Sequence, residues 1–347
     1  MTTSQDNSRL IIIWLTICCV LIFSMIVLGG VTRLTHSGLS MVDWDPIMGV
    51  IPPLTAGEWQ EVFARYQDFP EYQIVNKGMS LGEFKRIFYF EYTHRVLGRS
   101  IGIVFLLPFL FFLMTGRLDR RLTARLLLLF LLGGAQGLLG WYMVKSGLID
   151  VPRVSAYRLT AHLMLAVFIL GYMLWLVFDL ARRAQPVHIP SGIRRHAWVV
   201  LFAVVVMIAT GGFVAGTRAG FAFNTYPKMH DRWIPEGMWA LQPIWANIFE
   251  NIATVQFIHR CMAVLVAIFI AGIWVVALRG GEGIKKSATL LLLALVVQIA
   301  LGISTLVYSV PLAMAAAHQG GALVVFAIAL FICHSVSSRW AEIDNRP

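Results

Sequence analysis

The chain has 347 residues, 58% of them hydrophobic and only 13% charged, with a formal net charge of +10. A soluble domain carries about 25% charge, so the composition excludes an ordinary soluble protein and predicts an integral membrane protein. The basic excess does not point to nucleic acid, because most arginines cluster in short turns between apolar runs, as the positive-inside bias requires.

The start, MTTSQDNSRL, is polar and carries only Arg9 before the first apolar run. It lacks the Arg-rich character of an organellar transit peptide, so the first run is expected to be retained, in a bacterial-type inner membrane. Runs of about 20 residues, enough to cross a bilayer, fall near Leu10–Val31, Tyr89–Met114, Leu122–Val144, Tyr157–Leu180, Ala197–Ala215, Ile252–Leu278, Ala288–Tyr308 and Leu312–Ser335. Only helices satisfy their own backbone at this length in lipid. The predicted fold is therefore an all-α integral membrane protein of eight transmembrane helices.

The connecting segments orient the spans. Turns after spans two, four and six hold Arg117, Arg120, Arg121 and Arg125, then Arg182, Arg183, Arg194 and Arg195, then Arg279, Lys285 and Lys286. The turn SVP between spans seven and eight holds no positive charge, and the long first loop offsets its basic residues with acids such as Asp43, Asp45, Glu58 and Glu71. Both termini are then expected in the cytoplasm. In the first loop Thr55-x-x-Glu58 reads as a capping box ahead of Trp59, Val62, Phe63 and Tyr66 at helical spacing. That pattern predicts an amphipathic helix, as an interfacial anchor or as a lid. A second box, Ser80-x-x-Glu83, precedes span two.

The two halves repeat. Span one ends MIVLGG and span five holds MIATGG; spans three and seven hold Gln136-x-x-Leu139-Gly140 and Gln298-x-x-Leu301-Gly302. Spans two and six hold His94-Arg95 and His259-Arg260, and spans four and eight hold Ala-His at His162 and His318. Four spans per half start both halves on the same side, which predicts two parallel-repeat four-helix bundles. Imidazoles in hydrocarbon need partners, and imidazole is the usual axial ligand of haem iron. All four lie on even-numbered spans, about 8–12 Å below the expected helix starts at 1.5 Å per residue. Each half can then bring two histidines to opposite faces of one haem. Gly98, Gly102, Gly320 and Gly321 are candidates for close approach of a macrocycle; for Gly98, ordinary helix packing is the alternative.

One asymmetry suggests chemistry. Glu91 stands three residues before His94, on the same helix face, and Gln256 takes its place before His259. The acid can act as a base or stabilise positive charge, or it can simply cap a helix or pair with Arg95. Arg158, one turn before His162, suits a haem propionate, and Arg95 and Arg260 suit the same task or snorkelling to headgroups. His36, His188, His196, His230 and His334 have no counterparts and read as structural or solvated. Cys18, Cys19, Cys261 and Cys333 all fall within spans, where no disulfide framework is expected.

The sequence resembles the haem A synthase family, in the class that includes its mitochondrial and alphaproteobacterial-type members. The resemblance runs from span one to span eight. It is carried most specifically by GGVTRLTHSGLSMVDWDPIMGVIPPLT, FPEYQIVNKGMSLGEFKRIFYFEYTHRVLGR and FNTYPKMHDRWIPEG. It implies oxidation of the ring-position-eight methyl group of haem O to a formyl group, giving haem A. Substrate haem is then assigned to His94 and His162, a permanent haem b to His259 and His318, and the catalytic role to Glu91. Residues 1–31 would be the cytoplasmic N-terminus and first span, 32–88 the outer loop, 89–185 the rest of the substrate half, and 186–347 the haem b half. Haem O synthase is implied as a partner, and the electron acceptor is left open. Some relatives carry a cysteine pair in the first outer loop and this chain has none. A plain dihaem cytochrome b linked to quinol and a parallel-repeat transporter with histidine proton relays are the rival readings.

Overall fold

The computed structural model describes residues 2–42, 51–147, 154–181, 191–278 and 282–337. Asp43, Asp45, Arg182, Arg183, His188 and Arg279, used to read the loops, lie outside the described residues. Among the described residues eight helices are long and apolar enough to cross a bilayer. They are α1 (Thr2–Leu34), α3 (Leu81–Met114), α4 (Arg120–Gly147), α5 (Ala156–Ala181), α6 (Ser191–Thr217), α8 (Ile252–Ala277), α9 (Glu282–Val307) and α10 (Leu312–Val336). Two shorter helices, α2 (Ala56–Gln67) and α7 (Asn247–Glu250), lie in the loops after α1 and α6. No strand forms among the described residues, and a single isolated bridge joins Met229 to Arg232. The chain is an all-helical, multi-pass membrane protein.

All eight spans begin or end within a few residues of the sequence reading, and the second departs from it at its start. Helix α3 begins at Leu81, eight residues before the expected Tyr89, and Ser80 caps it directly. The Glu83 N–H donates to Ser80 Oγ at 3.3 Å, and the Ser80 N–H donates to Glu83 Oε2 at 2.9 Å. The added turns are stabilised by packing. Phe84, Ile87 and Phe88 are buried against Trp59 and Tyr66 of α2, while Glu83, Lys85 and Arg86 break the hydropathy signal between them. His94 consequently sits roughly 20 Å along its helix, not the expected 8–12 Å, at 1.5 Å per residue. The other three histidines keep depths of about 9–10 Å by the same measure.

Helix α2 is the amphipathic helix expected of the first loop, with the Thr55–Glu58 box formed at its start. The N–H groups of Leu54 and Thr55 hold the Glu58 carboxyl below the usual carboxylate range. That cap is present at neutral pH and is lost as pH falls through the lowered value. Burial, with Glu71 nearby, raises the Tyr66 phenol above its ordinary range. It remains neutral and accepts from Asn76 Nδ2 at 2.7 Å. Phe84 is fully buried in this cluster, with its ring centroid 4.9 Å from Tyr66 and 5.0 Å from Phe63. Phe84→Ala is expected to cost about 3–5 kcal/mol. Thermal unfolding in detergent would show the lowered midpoint, and proteolysis should speed up between residues 51 and 80. Unchanged cleavage there would show that the ring does not hold α2 down.

The chain divides into two compact units, Ile17–Ala166 and Met1–Thr16 with Val167–Pro347. His94 and His162 belong to the first, and His259 and His318 to the second. Within the second unit, His334 and His196 are structural, as expected. His334 Nε2 lies 2.8 Å from Asp179 Oδ1 and its ring packs edge-on to Trp175. His196 Nε2 bonds the carbonyl of Phe269 at 2.9 Å. All four cysteines are free.

Candidate functional site

In the unit Ile17–Ala166, His94 of α3 and His162 of α5 are half-buried and close enough to interact electrostatically. Each ring rests in a notch made by a glycine of a neighbouring helix. A Cβ on Gly29 of α1 would lie 3.2 Å from His94 Nε2, and one on Gly140 of α4 would lie 2.9 Å from His162 Cε1. Gln136 Nε2 donates to the His162 carbonyl at 3.0 Å and lies 3.4 Å from the ring Nε2.

The second unit builds its pair from matching positions. His259 of α8 and His318 of α10 are half-buried and interact electrostatically. The notches are Gly211 of α6, whose Cβ would fall 3.3 Å from His259 Cε1, and Gly302 of α9, whose Cβ would fall 2.7 Å from His318 Cε1. Gln298 Nε2 donates to the His318 carbonyl at 2.9 Å and lies 3.1 Å from ring Nδ1. The paired motifs MIVLGG/MIATGG and QxxLG are thus what the imidazoles lean on.

Two of the glycines expected to admit a macrocycle are taken up by the protein's own side chains, and one faces open space. Gly98 faces Met25, whose Cε would be 3.2 Å from an added Cβ, so it serves helix packing. Gly102 would meet nothing within 4 Å, and Gly321 makes room for the Gln298 side chain.

Glu91 is buried at 2% exposure, and three donors hold it. Its Oε2 accepts from Ser40 Oγ at 2.8 Å and the Met41 N–H at 2.7 Å, and its Oε1 pairs with Arg95 Nη2 at 2.6 Å. Arg95 also donates to the Met41 carbonyl at 2.8 Å. The matching Gln256 accepts from Arg260 Nη2 at 3.2 Å and donates to the Ala219 carbonyl at 2.8 Å. Arg260 reaches further, to the carbonyls of Phe223, Thr225, Pro227 and Lys228. Both arginines therefore fasten the loop that follows the preceding helix. The sequence flagged them for propionates or headgroups and missed this staple, since no local pattern reports which carbonyls a folded loop will offer. Ser40 was missed for the same reason. Arg158 lies half-buried on α5 with its guanidinium carbon 5.2 Å from the Tyr142 ring centre.

The residues fit a haem. Each unit offers two imidazoles, and among the described residues no group of three or more His, Cys, Asp or Glu gathers to hold a bare ion. Two imidazoles suit an iron whose remaining positions a porphyrin would supply. His162 Nδ1 is buried without a hydrogen-bond partner among the described residues, a position that asks for a ligand or acceptor. The notches give a direct check. Gly302→Ala would drive a methyl into His318, so it is expected to empty that site. The haem-to-protein ratio of the purified variant would fall, and a wild-type ratio would show that the notch is dispensable.

These features define a class: a multi-pass helical membrane protein with two similarly built histidine pairs, one of them beside a buried carboxylate. The profile of the family described as "Cytochrome oxidase assembly protein" matches residues 12–330. A protein named "Heme A synthase" from Nitrosospira multiformis is 50% identical over 333 residues, covering 94% of this chain and 93% of that protein. Proteins of the same name are 48% identical in Nitrosomonas eutropha and 45% in Parvibaculum lavamentivorans. They cover 96% of this chain, and 95% and 96% of their own lengths respectively. The chain belongs to this cytochrome oxidase assembly family, alongside the haem A synthases.

Proposed function

We propose that the chain is a haem A synthase, oxidising the ring-position-eight methyl group of haem O to a formyl group. The observation that carries the reading is the asymmetric duplication: two histidine pairs built alike, with the carboxylate of Glu91 at one and the amide of Gln256 at the other. His94 and His162 hold the substrate haem O, and His259 and His318 hold a haem b. The substrate half comprises residues 1–31, the outer loop 32–88 and residues 89–185, and the haem b half residues 186–347, as two parallel four-helix repeats. The chain lies in the bacterial inner membrane with both termini cytoplasmic and both sites toward the periplasm. Haem O synthase supplies its substrate.

The chemistry takes two steps. Methyl plus water gives hydroxymethyl, two protons and two electrons; hydroxymethyl plus water gives a gem-diol with the same release, and the diol loses water to leave formyl. Haem b, when bound, accepts electrons singly and passes them on. Glu91, held by Ser40, the Met41 N–H and Arg95, stabilises positive charge on the carbon being oxidised and takes up a released proton. His94 and His162 would hold the ring, with Glu91 one helical turn from His94 on the same helix. Were both imidazoles of a pair to hold the iron of a bound haem, no position would be left for O₂, and the reading therefore takes water as the source of the new oxygen. Arg158 is the candidate partner for a propionate, with Arg95 and Arg260 holding the loops that close over the pairs.

Pyridine haemochrome spectra and chromatography of extracted haems test the reading. The purified protein should carry haem b together with haem O or haem A. A haem-free preparation would favour a transporter, and two haems of type b alone would favour an electron-transfer cytochrome. Labelled O₂ appearing in the formyl group would exclude water as the oxygen donor.

A further inference from the structure

Beside the second histidine pair stands a hydroxyl with no counterpart at the first. In the matched segments MIVLGG and MIATGG, Gly29 and Gly211 both cradle an imidazole, and the residue before each differs: Leu28 in one and Thr210 in the other. Thr210 Oγ1 lies 2.8 Å from His259 Nδ1. The same oxygen donates to the Met207 carbonyl at 2.8 Å. A hydroxyl has a single proton, and a carbonyl can only accept. With the hydroxyl proton given to the Met207 carbonyl, Thr210 accepts from the ring, and the proton of His259 resides on Nδ1. Its Nε2 is left as a lone pair aimed away from Thr210. Among the described residues no hydrogen bond holds the ring of His94, whose matched neighbour Leu28 has nothing to offer it.

Resting on the haem reading above, we propose that Thr210 is the positioning residue that makes the second pair a permanent haem site. It locks His259 in the Nδ1–H tautomer with Nε2 presented to iron. A hydrogen bond from Nδ1–H to an oxygen acceptor fixes the ring and raises its basicity as a ligand. Leu28 leaves His94 without that lock, so a group bound at the first pair can leave. The difference matches the two tasks: a carrier haem has to stay through many turnovers, and a substrate has to enter and depart as product.

The test compares Thr210→Val, Thr210→Ser and wild type, purified in detergent. Valine has the shape of threonine, and Thr210 borders an apolar cavity of about 180 Å³, so the swap does not overpack the bundle. Three properties of haem b are measured: its rate of capture by apomyoglobin, its low-spin electron paramagnetic resonance g values and its midpoint potential. Thr210→Val should release haem b faster by about 10- to 100-fold. Its g values should shift, its potential should rise as the imidazole loses anionic character, and Thr210→Ser should restore all three. The reciprocal Leu28→Thr should slow capture of haem from the first pair. Wild-type release, g values and potential in Thr210→Val would overturn the proposal, as would equal impairment in Thr210→Ser. His259→Ala separates the two levels: if it too keeps a full haem complement, the haem reading itself has failed.

Discussion

His259→Ala is expected to lose haem b while retaining haem O or haem A, and His94→Ala is expected to do the reverse. The two histidines sit at matched positions, each near a partner in its own unit, His318 for His259 and His162 for His94. If each pair holds an iron porphyrin as proposed, removing one imidazole would take away one of the two protein ligands that grip it. Near-complete loss of the corresponding haem follows. Chromatography of the acid-acetone extract distinguishes the types, because haem b lacks the farnesyl-bearing side chain of haems O and A. Loss of the same haem from both variants would end the proposed division between the pairs.

Glu91→Gln is the second large effect. The amide keeps the length of the side chain, and Gln256 shows that it fits beside an arginine in this setting. It cannot, however, accept from Arg95 on one side and from Ser40 and the Met41 N–H on the other. One terminal atom becomes an NH₂ facing donors, at a stability cost of about 1–3 kcal/mol. The chain should fold and hold haem b. Conversion of haem O should fall by about 10²–10⁴-fold, the usual contribution of a positioned acid or base, and haem O should accumulate. Near-wild-type haem A would reduce Glu91 to a loop fastener. Glu91→Ala is a different experiment. It takes the carboxylate away from Arg95, whose side chain is 10% exposed, at a cost of about 3–5 kcal/mol. Loss of activity there would speak to folding as much as to chemistry.

What the sequence made legible follows from what membranes demand. A span must be apolar and about 20 residues long, so α8 and α10 were readable nearly to the residue. Span two was not, because its first turns are buried by α2 rather than by lipid, and Glu83, Lys85 and Arg86 hide that packing. The four histidines stood out because imidazoles are rare in such company, and the Glu91/Gln256 contrast because the repeat gave each residue a reference. The glycine notches were visible as motif matches, but their contacts were not, since only the folded helices show which ring reaches across to which backbone. The loop staples through Arg95 and Arg260 had no signal at all. Their partners are carbonyls, and every residue has one.

The early start of α3 has a mechanical consequence. Phe84 is clasped by α2 at one end of a stretch that carries Glu91 and His94 at the other, and residues 84–94 contain neither proline nor glycine. A helix without such residues bends little, and here it acts as a stiff lever. A partner settling on the outer face of α2 would tilt the acid and the imidazole together, with no hinge between to absorb the push. The loop that carries α2 is in this way coupled to the Glu91 and His94 side chains without reaching either of them from the site itself.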